Sequence, residues 1–369
     1  MSPPDAAAAP AGPAARWIGG PLFDACFFFG SAIVALAAGL VMLGAPATVL
    51  PLWFAWIWLV EGPHLCATWQ RTYVDAAFRR ERARLLATSL LWLLPGPALL
   101  AASWMSGRPE PFQLFLGTVA LWSFHHAVRQ HHGIMSVYQR LGQVGAAERK
   151  FDTLLLHGVL WAAFGLFLVA HPTNRELIGV APLPAPVLTV LGSLLALAIA
   201  AWVAKLLVRW RRRMPLAPAA FGLLVAAGIT LFSLFVVGLR EPLLANPLTP
   251  EHVFMAATLV SGTVHGLQYI GIVIATERRR AGTDVSLSAR LGKAPLAAYA
   301  VMLCVSLLYV AISVARGGAP LGAAPDSTSA QIFLAIYWGM FCHHFWLDQK
   351  IWRPSTDARL RSELGLKVS

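Results

Sequence analysis

Charge is scarce in this sequence, and acidic charge most of all. Only 12% of the 369 residues are Asp, Glu, Lys or Arg, with 17 acidic side chains against 29 basic ones. Soluble globular chains carry about 25%, so the composition argues against a water-soluble domain. Long polar stretches are missing too, which leaves no place for a large extramembrane domain. Cysteine is rare. Cys26, Cys66, Cys304 and Cys342 lie in or beside apolar runs with no framework spacing, so they read as small buried hydrophobes rather than disulfides or a zinc site. The chain start lacks the basic residues and adjoining apolar stretch of a secretory signal peptide. Rich in Ala and Pro, residues 1–16 read as a disordered cytoplasmic tail. No internal repeat is visible.

What the chain has instead is apolar length. Hydrophobic residues make up 57% of it, and its mean hydropathy is +0.64. A helix needs roughly 20 apolar residues to cross a bilayer, and such runs follow one another. The expected fold is all-α, a polytopic transmembrane bundle of about ten spans: 22–44, 52–76, 85–104, 111–138, 151–170, 184–207, 217–239, 251–276, 294–315 and 330–350. Pro95, Gly96 and Pro97 should kink the third or make it re-entrant. Residues 17–353 form the membrane domain and 354–369 a cytoplasmic C-terminal tail. The net charge of +12 sits in short clusters: Arg79, Arg80, Arg82 and Arg84; Arg149 and Lys150; Arg209 and Arg211 to Arg213; Arg278 to Arg280. These fall after even-numbered spans, while the opposite loops carry only Arg108, Arg175, Arg240 and Arg316. That is the positive-inside pattern, which places both termini in the cytoplasm and argues against a nucleic-acid partner. The expected location is a bacterial inner membrane, crossed several times.

Most spans are Leu, Ala, Val and Gly. Four are not. Glu61, His64, Thr68, Arg71 and Asp75 recur at steps of three and four, so they share one helix face. Pro63 should bend that helix. In the fourth span His125, Arg129, His132 and Ser136 form one stripe, His126, Gln130 and Gly133 the next, and His131 lies further round. The eighth span offers Thr258, Ser261, His265 and Gln268. The tenth offers Tyr337, His344 and Asp348, with His343 beside them. Ionic side chains cost about 2.5–3.5 kcal/mol at the centre of a membrane helix, so the four stripes should face one another. Counted at ~1.5 Å per residue from the basic clusters, His64, His125 and His265 lie about 20 Å deep, and His132 and His344 about 10–14 Å. His157 reaches the shallow layer from the fifth span. His171 and His252 belong to the opposite side.

Imidazoles with a few carboxylates suit a transition metal, and non-haem iron in particular. The candidate ligands are His64, His125, His126, His131, His132, His157, His265, His343 and His344. Of these His64, His125, His132, His265 and His344 lead, because stripe and depth agree. Each ligand needs its other ring nitrogen held; Asp348 is placed to do this for His344, and Glu61 is a ligand or a similar partner. Arg71 and Arg129 either pair with Asp75 and Glu61, hold an anionic head group or snorkel to the interface. Two other classes fit the same residues. One is a haem-binding electron carrier with paired axial histidines. The other is a proton-coupled transporter, disfavoured by the missing inverted repeat and the one-sided placement of polar groups.

The histidine pairs His125–His126, His131–His132 and His343–His344, at one end of their spans, resemble those of the histidine-rich membrane non-haem iron oxygenases: fatty-acid desaturases, lipid hydroxylases and alkane hydroxylases. The chain departs from that class in lacking its histidine boxes and in having more spans. In architecture it also resembles the Brp/Blh-type membrane carotene dioxygenases. These resemblances imply an iron centre, di-iron in the first class, that uses molecular oxygen on a lipid-soluble substrate such as a fatty acyl chain or isoprenoid. The substrate would arrive from the membrane lipid, and electrons from a cytoplasmic donor such as a ferredoxin. Glu61, Asp348 and Arg129 are the expected catalytic side chains around the metal.

Overall fold

The computed structural model describes residues 17–171, 179–233, 248–280, 287–315 and 328–366. The proposed disordered tail at 1–16 lies outside them. Among the described residues every element is helical. The helices used below are α1 (Pro21–Gly44), α2 (Pro46–Arg71), α3 (Ala83–Ser106), α4 (Glu110–Leu141), α5 (Ala146–Ala170), α6 (Ala185–Arg211), α7 (Ala217–Ile229), α8 (Pro250–Arg280), α9 (Pro295–Ala315) and α10 (Thr328–Ile351). Six of them, α1, α2, α3, α5, α6 and α8, are long and apolar enough to cross a membrane. The described parts of α7 and α9 hold shorter apolar stretches. Helices α4 and α10 have 32 and 24 residues. Their histidines and neighbouring polar residues lower the hydropathy that length alone would satisfy.

Helix α8 is the axis of the bundle, with 67% of its apolar window buried. It packs against α1 and α2, and more lightly against α4. Helix α10 packs against α2, α3 and α4. Close approach depends on glycine at a few points. A Cβ on Gly266 of α8 would stand 2.6 Å from Val60 Cγ1 of α2, and one on Gly96 of α3 would stand 2.3 Å from the Ala335 carbonyl oxygen of α10. Only a residue without a side chain lets these backbones meet.

Helix α2 is irregular where Pro63 should disturb it. Residues Ile57–Glu61 form a π-helical segment, and the α-helix resumes at Gly62. A proline ring cannot donate to the turn before it, and the wider segment absorbs the mismatch. Side chains of α9 take up carbonyls along that segment. Ser306 Oγ donates to Ile57 O (3.0 Å), Tyr299 donates to Leu59 O, and Trp58 Nε1 of α2 donates to Leu303 O (3.0 Å). The break in α3 has a comparable form: Leu90–Leu93 is a 3₁₀ turn just ahead of Pro95.

The C-terminal segment is more than a tail. Asp357 caps a short helix, Ala358–Glu363, by accepting from Leu360 N at 2.9 Å, and Leu360, Glu363 and Leu364 are buried. Leucines at 360, 364 and 366 give this segment an apolar side that packs on the bundle.

Candidate metal centre

Four imidazoles meet between α2, α4, α8 and α10. His64, His126, His265 and His344 each offer a ring nitrogen, and these atoms all lie within 4.8 Å of one another. The His64 ring stands 4.4 Å from that of His344 and 4.7 Å from that of His265; His126 lies 4.9 Å from His265 and 5.0 Å from His344. The rings meet edge to face rather than stacked, so their nitrogens converge while their faces do not compete. All four side chains are buried, at 1–7% exposure.

Their hydrogen bonding is incomplete. Among the described residues, both nitrogens of His64, Nε2 of His126, Nδ1 of His265 and Nε2 of His344 have no hydrogen-bond partner. Unpaired polar atoms are costly inside a membrane protein. A shared cation would engage one nitrogen of each ring, and the second nitrogen of His64 is left on its own, with Glu61 Oε1 3.7 Å from Nδ1. Metal–nitrogen bonds of about 2.1 Å put opposite ligands about 4.2 Å apart, so small side-chain rotations close this group on one ion. The donor set fits a transition metal.

Asp348 belongs to the same group. Its Oδ2 lies 3.5 Å from His344 Nε2 and 3.6 Å from His126 Nε2, and is itself buried without a hydrogen-bond partner. Its Oδ1 accepts from Tyr269 Oη at 2.7 Å. The sequence suggested that Asp348 orients His344. The structure gives that task to Thr68, whose Oγ1 lies 2.7 Å from His344 Nδ1 and 2.7 Å from Tyr269 Oη. A hydroxyl at that nitrogen leaves Nε2 facing the cluster. Tyr269 Oη also accepts from Trp352 Nε1 at 3.3 Å. Glu61 stands on the π-helical segment with Oε1 3.7 Å from His64 Nδ1, buried at the edge of the group.

The other expected ligands lie elsewhere. His125, one residue from His126, is exposed, with its ring 6.1 Å from Trp161. Arg129 shares that outward face and is exposed. His132 and His157 pair with each other across α4 and α5, rings 5.2 Å apart. His131 Nδ1 contacts Gln268 Oε1 at 3.1 Å, and Gln268 in turn donates to Phe28 O at 3.2 Å. His343 Nε2 meets Tyr73 Oη at 2.9 Å. The pairing of Arg71 and Asp75 also differs from expectation. Arg71 bridges Glu277 (3.1 Å) and Glu363 (2.6 Å), while Asp75 takes Arg280. Helix geometry explains the exchange: α8 and the C-terminal helix close over the end of α2, so each charge finds an opposite charge on another element.

Two residues of the site had no role in the sequence reading, Tyr269 and Trp352. Tyr269 follows His265 by four residues and so continues its stripe. It was legible by spacing, but a tyrosine in an apolar helix carries no distinctive signal. Compared with known proteins, the chain matches no family model, no curated protein and no solved structure.

Proposed function

We propose that this protein is an integral membrane metalloenzyme, a non-haem iron oxidoreductase of the oxygenase, hydroxylase or desaturase kind, acting on a lipid-soluble substrate. The observation that carries the reading is the convergence of four buried imidazoles from four helices, with their free nitrogens and the free Oδ2 of Asp348 directed at one another. An N₄O donor set exceeds what tetrahedral zinc takes up and suits iron. The bound ion would supply oxygen activation. His64, His126, His265 and His344 would hold it, Thr68 would fix the His344 ring, and Tyr269 would fix Asp348. The compact cluster favours a single ion over two, and over a haem. Imidazoles only 4.4–5.0 Å apart on four sides leave no plane for a porphyrin.

We read ten crossings, with both termini on the cytoplasmic side, because basic residues close α2, α4, α6, α8 and α10. The substrate, a fatty acyl chain or isoprenoid, would come laterally from the bilayer, and the reductant would be a cytoplasmic one-electron carrier. Elemental analysis of detergent-purified protein tests the core of this reading. About one iron per chain is expected, without a Soret band, and His126→Ala and His344→Ala should lose it. Protein that holds no transition metal after supplementation would end the proposal.

A further inference from the structure

A second group of polar side chains, apart from the metal centre, lies on the shared face of α4 and α5. His125, Arg129, His132 and Ser136 descend one stripe of α4, and Thr153 and His157 stand opposite on α5. The His132 and His157 rings are 5.2 Å apart, and the hydroxyls of Ser136 and Thr153 each lie 3.4 Å from His132 Nε2. His125 and Arg129 are exposed, and the other four are half-buried. No carboxylate pairs with Arg129 among the described residues.

This placement is unusual for a membrane helix. A lone Arg can snorkel, but three imidazoles, a guanidinium and two hydroxyls on one outward face are costly against hydrocarbon and call for a polar occupant. All six groups can donate hydrogen bonds, and the one permanent charge is positive. The complement is an oxyanion, for which the guanidinium fork is well shaped.

The same face turns apolar toward the start of α4. Phe124 stacks on Phe164 of α5 at 4.1 Å and stands 5.2 Å from Trp161, which lies one turn beyond His157; Leu121 is exposed beside them. Polar groups followed by an aromatic strip, in line with the helices, match the two halves of an amphiphile lying along the bilayer normal.

We propose that the α4–α5 face binds a membrane amphiphile by its oxyanion head, phosphate or carboxylate, with the chain laid along Trp161, Phe124 and Phe164. The site is separate from the metal centre and does not depend on it. Native mass spectrometry of the purified protein with phosphatidylglycerol, oleate or the neutral dioleoylglycerol tests this, alongside Arg129→Gln, Arg129→Lys and His157→Ala. The expected result is retention of one anionic lipid in preference to dioleoylglycerol. Arg129→Gln should weaken it about tenfold, as loss of a charge-assisted hydrogen bond does, and Arg129→Lys should restore part of it. Metal content should stay at the wild-type level in all three variants, which shows that they fold. Equal retention of neutral and anionic lipid, or no effect of Arg129→Gln, would overturn the proposal. Displacement of phosphatidylglycerol by inorganic phosphate at equal concentration would overturn its amphiphile half. A wild-type dimer that becomes monomeric in Arg129→Gln, with no lipid retained, would assign the face to a second copy of the chain instead.

Discussion

Replacing Asp348 with Asn should move the stability of the metal-free and metal-loaded protein in opposite directions. In the metal-free state Asp348 Oδ2 is buried, has no hydrogen-bond partner, and lies 3.5–3.6 Å from two imidazole nitrogens. Such an oxygen carries a desolvation cost of about 1–3 kcal/mol. An Asn can keep the Tyr269 hydrogen bond at Oδ1 and turn its amide N–H₂ toward His126 and His344, which then act as acceptors. Metal-free Asp348→Asn should therefore unfold at the same temperature as wild type or a few degrees higher. The loaded state should behave the other way. Loss of a ligand charge weakens metal binding by about 10- to 100-fold or more, and a 100-fold loss removes ~2.7 kcal/mol of metal-conferred stability at fixed free metal. At about 2 °C per kcal/mol, the metal-induced rise in Tm should shrink by roughly 5 °C. Thermal unfolding in detergent, followed by Trp fluorescence with and without iron(II) under anaerobic conditions, measures both quantities. An unchanged metal-induced shift would refute the ligand role. A lowered Tm in the metal-free variant with unchanged affinity would mean that Asp348 only supports the packing of α10.

Neighbouring histidines should separate cleanly: His344→Ala should abolish stoichiometric metal, while His343→Ala, which loses only the Tyr73 contact, should keep it by elemental analysis. Gly266→Leu should force α8 away from α2 beside His64 and lower metal affinity at least tenfold in a competition titration. Gly117→Leu, where a Cβ meets nothing within 4 Å, should not. Arg71→Ala removes one cation from a buried network and leaves Glu277 to Arg280 and Glu363 to Arg359 and Arg280, at a cost of about 3 kcal/mol, seen as a Tm drop of roughly 6 °C. Thr68→Val frees the His344 ring and should lower metal affinity about tenfold, with a smaller effect on the metal-free Tm.

The helical class and most element positions were legible because hydrocarbon imposes them. A run of about 20 apolar residues has few other fates, and the expected spans overlap the described helices within a few residues, extended by polar turns such as 146–150 and 208–211. What the sequence could not give was the local backbone where helices meet. The π-helical turn before Pro63 depends on acceptors and donors supplied by α9, some 245 residues away, and the docking of Ala358–Glu363 depends on the gap left beside Arg71.

The choice between His125 and His126 shows why the site was only partly legible. Adjacent residues on a helix point about 100° apart, so one of the pair had to face inward, and matching stripes favoured His125. In a soluble protein the apolar face would have settled it. In lipid the outward face is as apolar as the inward one, so hydrophobicity carries no direction. A weaker signal was present at the start of the same helix. Phe112, Phe115 and Val119 are buried at steps of three and four, and seven residues beyond Val119 stands His126. Extending that stripe instead of the polar one selects His126. It leaves His125, Arg129 and His132 on the outer face, where they require an occupant of their own. The two features therefore answer to one rotation of α4. An amphiphile bound at Arg129 and a metal bound at His126 report on adjacent faces of the same helix, about 60° apart around its axis, and any variant that turns α4 should disturb both together.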